Sequence, residues 1–199
     1  MPSILTILGH PLADSYGAAL AEAYTQGAQA AGARVTILRL GELAFDARRH
    51  PHRPPSEGLE GDLATAREAM ARADFWRIVF PVWSGTYPAL MKAFFDCALG
   101  EDFAFERDAA SGRLRPLLRG KTAGLIATMN TPPWLYRWAL ADCGLSALRR
   151  CALGVCGVKT LDTTRIGPIR TLSDAARGRW LARVEALGRA DAHRLAKNV

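Results

Sequence analysis

The chain has no apolar run of the ~18 or more residues that mark a bilayer span, so no transmembrane helix is expected. Its first residues, MPSILTIL, carry no basic n-region and no cleavage site and run straight into a strand pattern. No signal peptide is expected, and the cytoplasm is the expected address. Cysteine and histidine are scarce. Cys97, Cys143, Cys151 and Cys156 form no CxxC pair, and only His10, His50, His52 and His193 stand beside them. Zinc-type spacing is absent, so no metal site is expected and the thiols read as free and buried rather than catalytic. Neither GxGxxG nor GxxxxGK[ST] occurs, which argues against a Rossmann-type NAD site and an ATP P-loop. No repeat and no linker separates two cores, so residues 1–199 are expected to form one domain.

What is present is an ordinary globular composition, 49% hydrophobic and 23% charged, with a formal net charge of +7. The charge is uneven. Residues 165–199 hold eight Arg/Lys and three Asp/Glu, which supplies +5 of the total. A basic segment can meet nucleic acid, but no DNA-binding motif or aromatic platform accompanies it, and no nucleic-acid partner is expected. A solvated helix face is the favoured reading of the charge, and a positive field favouring an anionic substrate or cofactor is compatible with either.

Apolar and β-rich runs at Ser3–Leu8, Arg34–Leu40, Phe75–Phe80, Thr122–Thr128 and Val158–Ile166 predict five strands. Helical patterns fall between them: Ser15–Ala31 ending at Gly32, Asp62 as a cap to about Arg72, Pro88–Leu99, a region from Pro133 to Val155 broken near Gly144, and Ser173 capping a helix to about Leu195. Residues 44–61 read as a long surface loop, and 100–121 as a polar stretch with a hairpin or loop around Ser111-Gly112. Strands alternating with helices predict an α/β fold: a doubly wound five-stranded parallel sheet of order 2-1-3-4-5 with helices on both faces. In such a sheet, ligands sit beyond the carboxyl ends of the strands, where the order reverses.

Three loops lie there. After the first strand comes GHPLADSYG, where Ser15 can cap a helix whose free N–H groups suit a phosphate, with His10 nearby as a further donor. After the third comes PVWSGTYP, with aromatic faces at Trp83 and Tyr87, hydroxyls at Ser84 and Thr86, and Gly85 for a close approach. After the fourth comes TMNTPPWLYRW, with polar atoms at Thr128, Asn130 and Thr131 and aromatics at Trp134, Tyr136 and Trp138. Each alone is an ordinary turn or a packing cluster. Together they favour a ligand made of a phosphate and a planar ring.

GHPxxxS, FPVW-x-G-x-x-PAxxKAFFD and TxNTPPWxYRW, with EDFAFE (101–106), LLRGKTAGLIAT (117–128) and LGVCGV (153–158), resemble the flavodoxin-like NAD(P)H:quinone oxidoreductases over nearly the whole chain. The resemblance implies a bound FMN or FAD, with FMN favoured. It also implies NAD(P)H as co-substrate, a quinone or similar planar acceptor and a homodimer with the flavin near its interface. By motif, His10, Ser15 and Tyr16 would lie at the flavin phosphate and ribityl chain. Pro81, Val82, Trp83, Ser84 and Gly85 would line the ring, and Thr128, Met129 and Asn130 its other edge. Backbone N–H groups after Thr128 would meet the N1/O2 edge, and Tyr136 would face the acceptor, with Tyr136 or a water delivering a proton. Three positions depart from the family: Ser84 where a second aromatic is common, Gly17 in the phosphate loop where asparagine is, and Cys97 where arginine is. A small residue at 84 would open the pocket over the ring.

The implied chemistry is hydride transfer from NAD(P)H to the flavin and onward to the acceptor, with the protein positioning the rings. Two rival roles share the fold: a regulatory flavoprotein subunit of a redox-gated partner such as a cation-efflux system, and a one-electron carrier, which the basic charge and long insertions fit poorly.

Overall fold

A computed structural model describes residues 1–47, 61–101 and 103–197. Strands form at β1 (Ser3–Leu8), β2 (Arg34–Arg39), β3 (Phe75–Pro81), β4 (Phe105–Arg107), β5 (Leu114–Pro116), β6 (Thr122–Thr128) and β7 (Lys159–Ile166). Helices form at α1 (Tyr16–Ala30), α2 (Gly61–Arg72), α3 (Ala89–Ala98), α4 (Pro133–Trp138), α5 (Cys143–Ala147) and α6 (Asp174–Ala196). A π-helical turn, Leu148–Leu153, continues α5.

The main sheet runs β2-β1-β3-β6-β7, all parallel, which is the 2-1-3-4-5 order expected once the β4–β5 hairpin is set aside. That hairpin is antiparallel and turns at Asp108–Gly112, where the Asp108 carboxylate accepts from both the amide and the hydroxyl of Ser111. Most of the expected 44–61 loop lies outside the described residues, as does Asp102 of EDFAFE. Asp62 does not cap α2. It lies in the helix's first turn, and its carboxylate accepts from the Ala44 amide instead, at 2.7 Å. The break in the 133–155 region falls before Gly144, because Ala141 and Asp142 both adopt positive φ, +50°.

β3 explains the layering. All seven of its residues are buried, and alternation sends Phe75 and Val79 to one face and Trp76, Ile78 and Phe80 to the other. The first face is covered by α1 and α6, the second by α2, α3, α4, α5 and the π turn. Each fully buried large side chain here contributes about 1.5–3 kcal/mol. α1 and α6 meet backbone to backbone: a Cβ on Gly27 would fall 1.9 Å from the Glu185 carbonyl, and one on Gly188 2.2 Å from that of Tyr24.

Between the sheet and these two helices lies one buried charge. The Arg77 side chain is fully buried in the centre of β3. It pairs with Asp162 of β7 at 2.6 Å and with Asp191 of α6, and it lies 5.0 Å from the ring centres of Tyr24 and Phe75. Gly124 makes the reach to β7 possible, since a Cβ there would fall 2.3 Å from the guanidinium. Burial alone would lower the Arg77 pKa. Tyr24, Asp191 and Asp162 more than reverse that and hold it protonated.

Candidate functional site

A cleft of about 210 Å³ opens at the carboxyl ends of β1, β3, β6 and β7. Four chain segments line it: His10 and Ser15–Gly17, Pro81–Trp83, Thr128–Asn130, and Ile169–Arg170.

The first segment leaves β1 through Gly9, whose amide donates to the Val79 carbonyl at 2.8 Å. His10 Nδ1 accepts from the Leu12 amide at 3.0 Å, so in the neutral ring the proton sits on Nε2. Burial lowers the His10 pKa below its usual value, against the pull of Asp14. Ser15 caps α1 by accepting from Ala18 N–H at 3.2 Å. The amides of Tyr16 and Gly17 have no acceptor among the described residues, so the positive end of α1 faces the cleft with two free donors. The Tyr16 hydroxyl turns away and donates to the Arg177 carbonyl at 3.0 Å, which leaves its backbone and ring for the cleft.

The second segment is anchored by the Val82 amide, which donates to Thr128 O at 2.7 Å. Trp83 and Thr86 then pair through both of their backbone groups, at 2.8 and 2.9 Å, closing a tight two-residue turn. Its central residues, Ser84 at φ +48° and Gly85 at φ +80°, both need positive φ, which glycine adopts freely and serine does not. Ser84 and Gly85 form this turn beyond Trp83 and are not among the residues lining the cleft. Trp83 is 46% exposed and meets His10 edge to face at 5.4 Å.

Tyr136 corrects an expectation. Its side chain does not face an acceptor: it is fully buried beneath the turn. Its hydroxyl donates to the Gly85 carbonyl at 2.8 Å and accepts from the Gly144 amide at 3.1 Å. Burial raises its pKa, which further disfavours proton release. The Cys143 thiol donates to the same carbonyl at 3.1 Å. Gly144 permits this packing, since a Cβ there would fall 2.5 Å from Thr86 Cα.

In the third segment the Met129 amide donates to the Ile166 carbonyl, so it is not free to meet a ring edge as expected. Asn130 Oδ1 accepts from the Arg170 amide at 3.2 Å, which leaves the Asn130 backbone N–H and Nδ2 as donors. Trp134 and Trp138, the other two aromatics of this loop, do not line the cleft and are 66% and 76% exposed.

The fourth segment, Ile169 and Arg170, was not foreseen. The signal was available: it follows the fifth strand, at the same sheet edge as the other loops, in the basic part of the chain. The cleft thus joins an anion-binding end (two free amides, His10 and Arg170) to an apolar and aromatic end (Pro81, Val82, Trp83, Met129). These donors fit a phosphate and these walls fit a planar ring, so the residues present suit a flavin nucleotide.

Among the described residues no group of three or more His, Cys, Asp or Glu could hold a metal ion, and no helix is long and apolar enough to cross a membrane.

The chain is similar to a Haemophilus influenzae protein named an uncharacterized NAD(P)H oxidoreductase, 25% identical over 181 residues and covering 87% of each chain. It superposes on Smu.1420 from Streptococcus mutans with a TM-score of 0.81, at 26% identity over 94% of this chain and 99% of that one. It also superposes on the NAD(P)H:quinone oxidoreductase of Methanothermobacter marburgensis (TM-score 0.75, 21% identity, 94% and 96% covered). An FMN-dependent NADH-azoreductase from Bacillus anthracis, solved with FMN, matches with a TM-score of 0.74 at 15% identity (98% and 100% covered). The model of the family with the flavodoxin-like fold matches residues 2–187, and the chain belongs to that family.

Proposed function

We propose that this chain is a flavin-dependent NAD(P)H oxidoreductase of the quinone-reductase type, binding FMN or FAD and passing two electrons to a quinone or another flat, electron-poor acceptor. The observation that carries this is the single cleft in which an anion-binding helix terminus and an aromatic wall meet at the switch point of the sheet. The names of the Haemophilus, Methanothermobacter and Bacillus proteins support it.

When bound, the flavin supplies the two-electron chemistry between nicotinamide and acceptor. The chain's own residues bind and orient. The Tyr16 and Gly17 amides, His10 Nε2–H and the Arg170 guanidinium hold the phosphate. Pro81, Val82 and Trp83 wall the ring, and Asn130 donates to its polar edge. Tyr136 and Cys143 hold the Gly85 carbonyl, and with it the turn that follows Trp83. Ser84, in the turn beyond Trp83, carries no ring that could cover the cleft. Exposed Trp134, Leu135, Trp138 and Leu140, all on or beside α4, are the surface offered for the homodimer.

The test is the visible spectrum of the purified protein before and after anaerobic NADPH addition. A flavin band that bleaches is the expected result. A flavin that binds without bleaching would favour the regulatory or carrier role, and a colourless protein that binds neither FMN nor FAD would overturn the proposal.

A further inference from the structure

A second cavity, of about 330 Å³, lies along the outer edge of β7. It is lined by the guanidinium-bearing residues Arg137, Arg149 and Arg165, with Asp142, Asp162 and Thr160. Both carboxylates are already engaged. Asp142 forms a two-point pair with Arg165, and Asp162 neutralises the buried Arg77. Arg137 stacks on Trp138 but has no carboxylate partner among the described residues, and neither does Arg149. The Thr160 hydroxyl oxygen is buried and makes no hydrogen bond among the described residues. β7 is the last strand of its sheet, so its outward backbone groups have no neighbouring strand.

Two uncompensated arginines, a buried hydroxyl without a partner and an open strand edge converge on one concavity. Guanidinium groups offer paired N–H donors in the plane that phosphate oxygens match. We infer that this cavity is a binding site for a small dianion of the phosphate-monoester class, separate from the cleft at the strand ends. Arg137 and Arg149 supply the charge and Thr160 a hydroxyl donor. Arg165 is a positioning residue: its pair with Asp142 holds the segment between α4 and α5 against β7.

The two sites are neighbours along the chain. Arg165 immediately precedes Ile166, which leads into Ile169 and Arg170 of the cleft, and Arg137 follows the loop after β6 that forms another of its walls. A phosphate monoester bound here therefore comes either from a separate small metabolite or from the 2′-phosphate of a nucleotide.

The experiment is a calorimetric titration of the FMN-saturated protein with inorganic phosphate, then with 2′,5′-ADP and glycerol 3-phosphate. It compares wild type, Arg137→Gln/Arg149→Gln and, as a matched loss of surface charge, Arg183→Gln. Saturable binding is expected in wild type and Arg183→Gln, with affinity roughly tenfold to a hundredfold weaker in the double variant. Tighter binding of 2′,5′-ADP assigns the site to a nucleotide, and tighter binding of glycerol 3-phosphate to a separate metabolite. Equal weakening in Arg183→Gln would reduce the effect to general charge and overturn the inference. Absent binding in wild type would overturn it as well, and loss of self-association in the double variant by sedimentation would then make the cavity a contact between copies.

Discussion

Replacing Asp191 with alanine removes the most buried partner of Arg77. The Arg77 side chain is fully buried, and Asp191 is only 5% exposed, whereas Asp162 is 34% exposed. Asp191 also accepts from the Tyr24 hydroxyl at 2.7 Å and from Arg194 at 2.7 Å. Breaking a buried pair from one side costs about 3–5 kcal/mol, because the remaining charge stays out of water. The Tyr24 hydroxyl loses its acceptor as well, and Asp162 keeps one arm of the guanidinium satisfied, so the two corrections oppose each other. A loss of about 3–5 kcal/mol is expected, read as a fall in Tm of roughly 6–20 °C for a chain of this size. Asp162→Ala should cost less, about 1–2 kcal/mol, since water reaches that side. The double variant Asp191→Ala/Arg77→Met should recover more than half of the loss, because it no longer buries an unpaired charge. Urea and thermal melts followed by circular dichroism measure all of these. Asp191→Ala within ~1 kcal/mol of wild type, or a double variant whose losses simply add, would refute the account of Arg77 as a buried charge held by Asp191.

Arg170→Ala should weaken FMN binding roughly tenfold to a hundredfold while leaving the melt of the flavin-free protein unchanged, because its exposed side chain makes no hydrogen bond or ion pair among the described residues; fluorescence titration with FMN reads both affinities. Tyr136→Phe strands the Gly144 amide and removes a donor to Gly85, so it should cost about 1–3 kcal/mol in stability. The pH dependence of acceptor turnover should stay the same, and a lost limb in that profile would return Tyr136 to proton transfer. Of the four thiols, Cys143 and Cys151 are exposed and Cys97 and Cys156 buried, so a disulfide reagent should label two quickly and two only on unfolding. Burial pushes the Cys156 thiol up to about 11 from an ordinary 9.0. Its folded pKa is the higher one, so its contribution to stability is complete below pH 9 and is lost as pH rises toward 11.

Strand positions and sheet order follow from local chemistry that the sequence displays directly. Thr122–Thr128 and Ser3–Leu8 are continuous, mainly apolar runs, and their alternation with helical segments points to a parallel sheet covered on both faces, which buries such runs. The same logic places three loops at one end of the sheet, which is why His10, Ser15, Trp83 and Asn130 meet at one cleft. Direction is what sequence does not carry. Whether the Tyr136 hydroxyl points into a cleft or under a turn depends on α5, which packs beside it only because Gly144 has no side chain, and on the positive φ at Ala141 and Asp142. Whether the Met129 amide is free depends on a register between β6 and β7 more than thirty residues apart in the chain. Arg170 joins the cleft, and Arg77 finds Asp162 and Asp191, through contacts between distant elements. Periodicity within a segment is set by its own backbone geometry, but the partner of each buried polar group is decided only when separate segments meet.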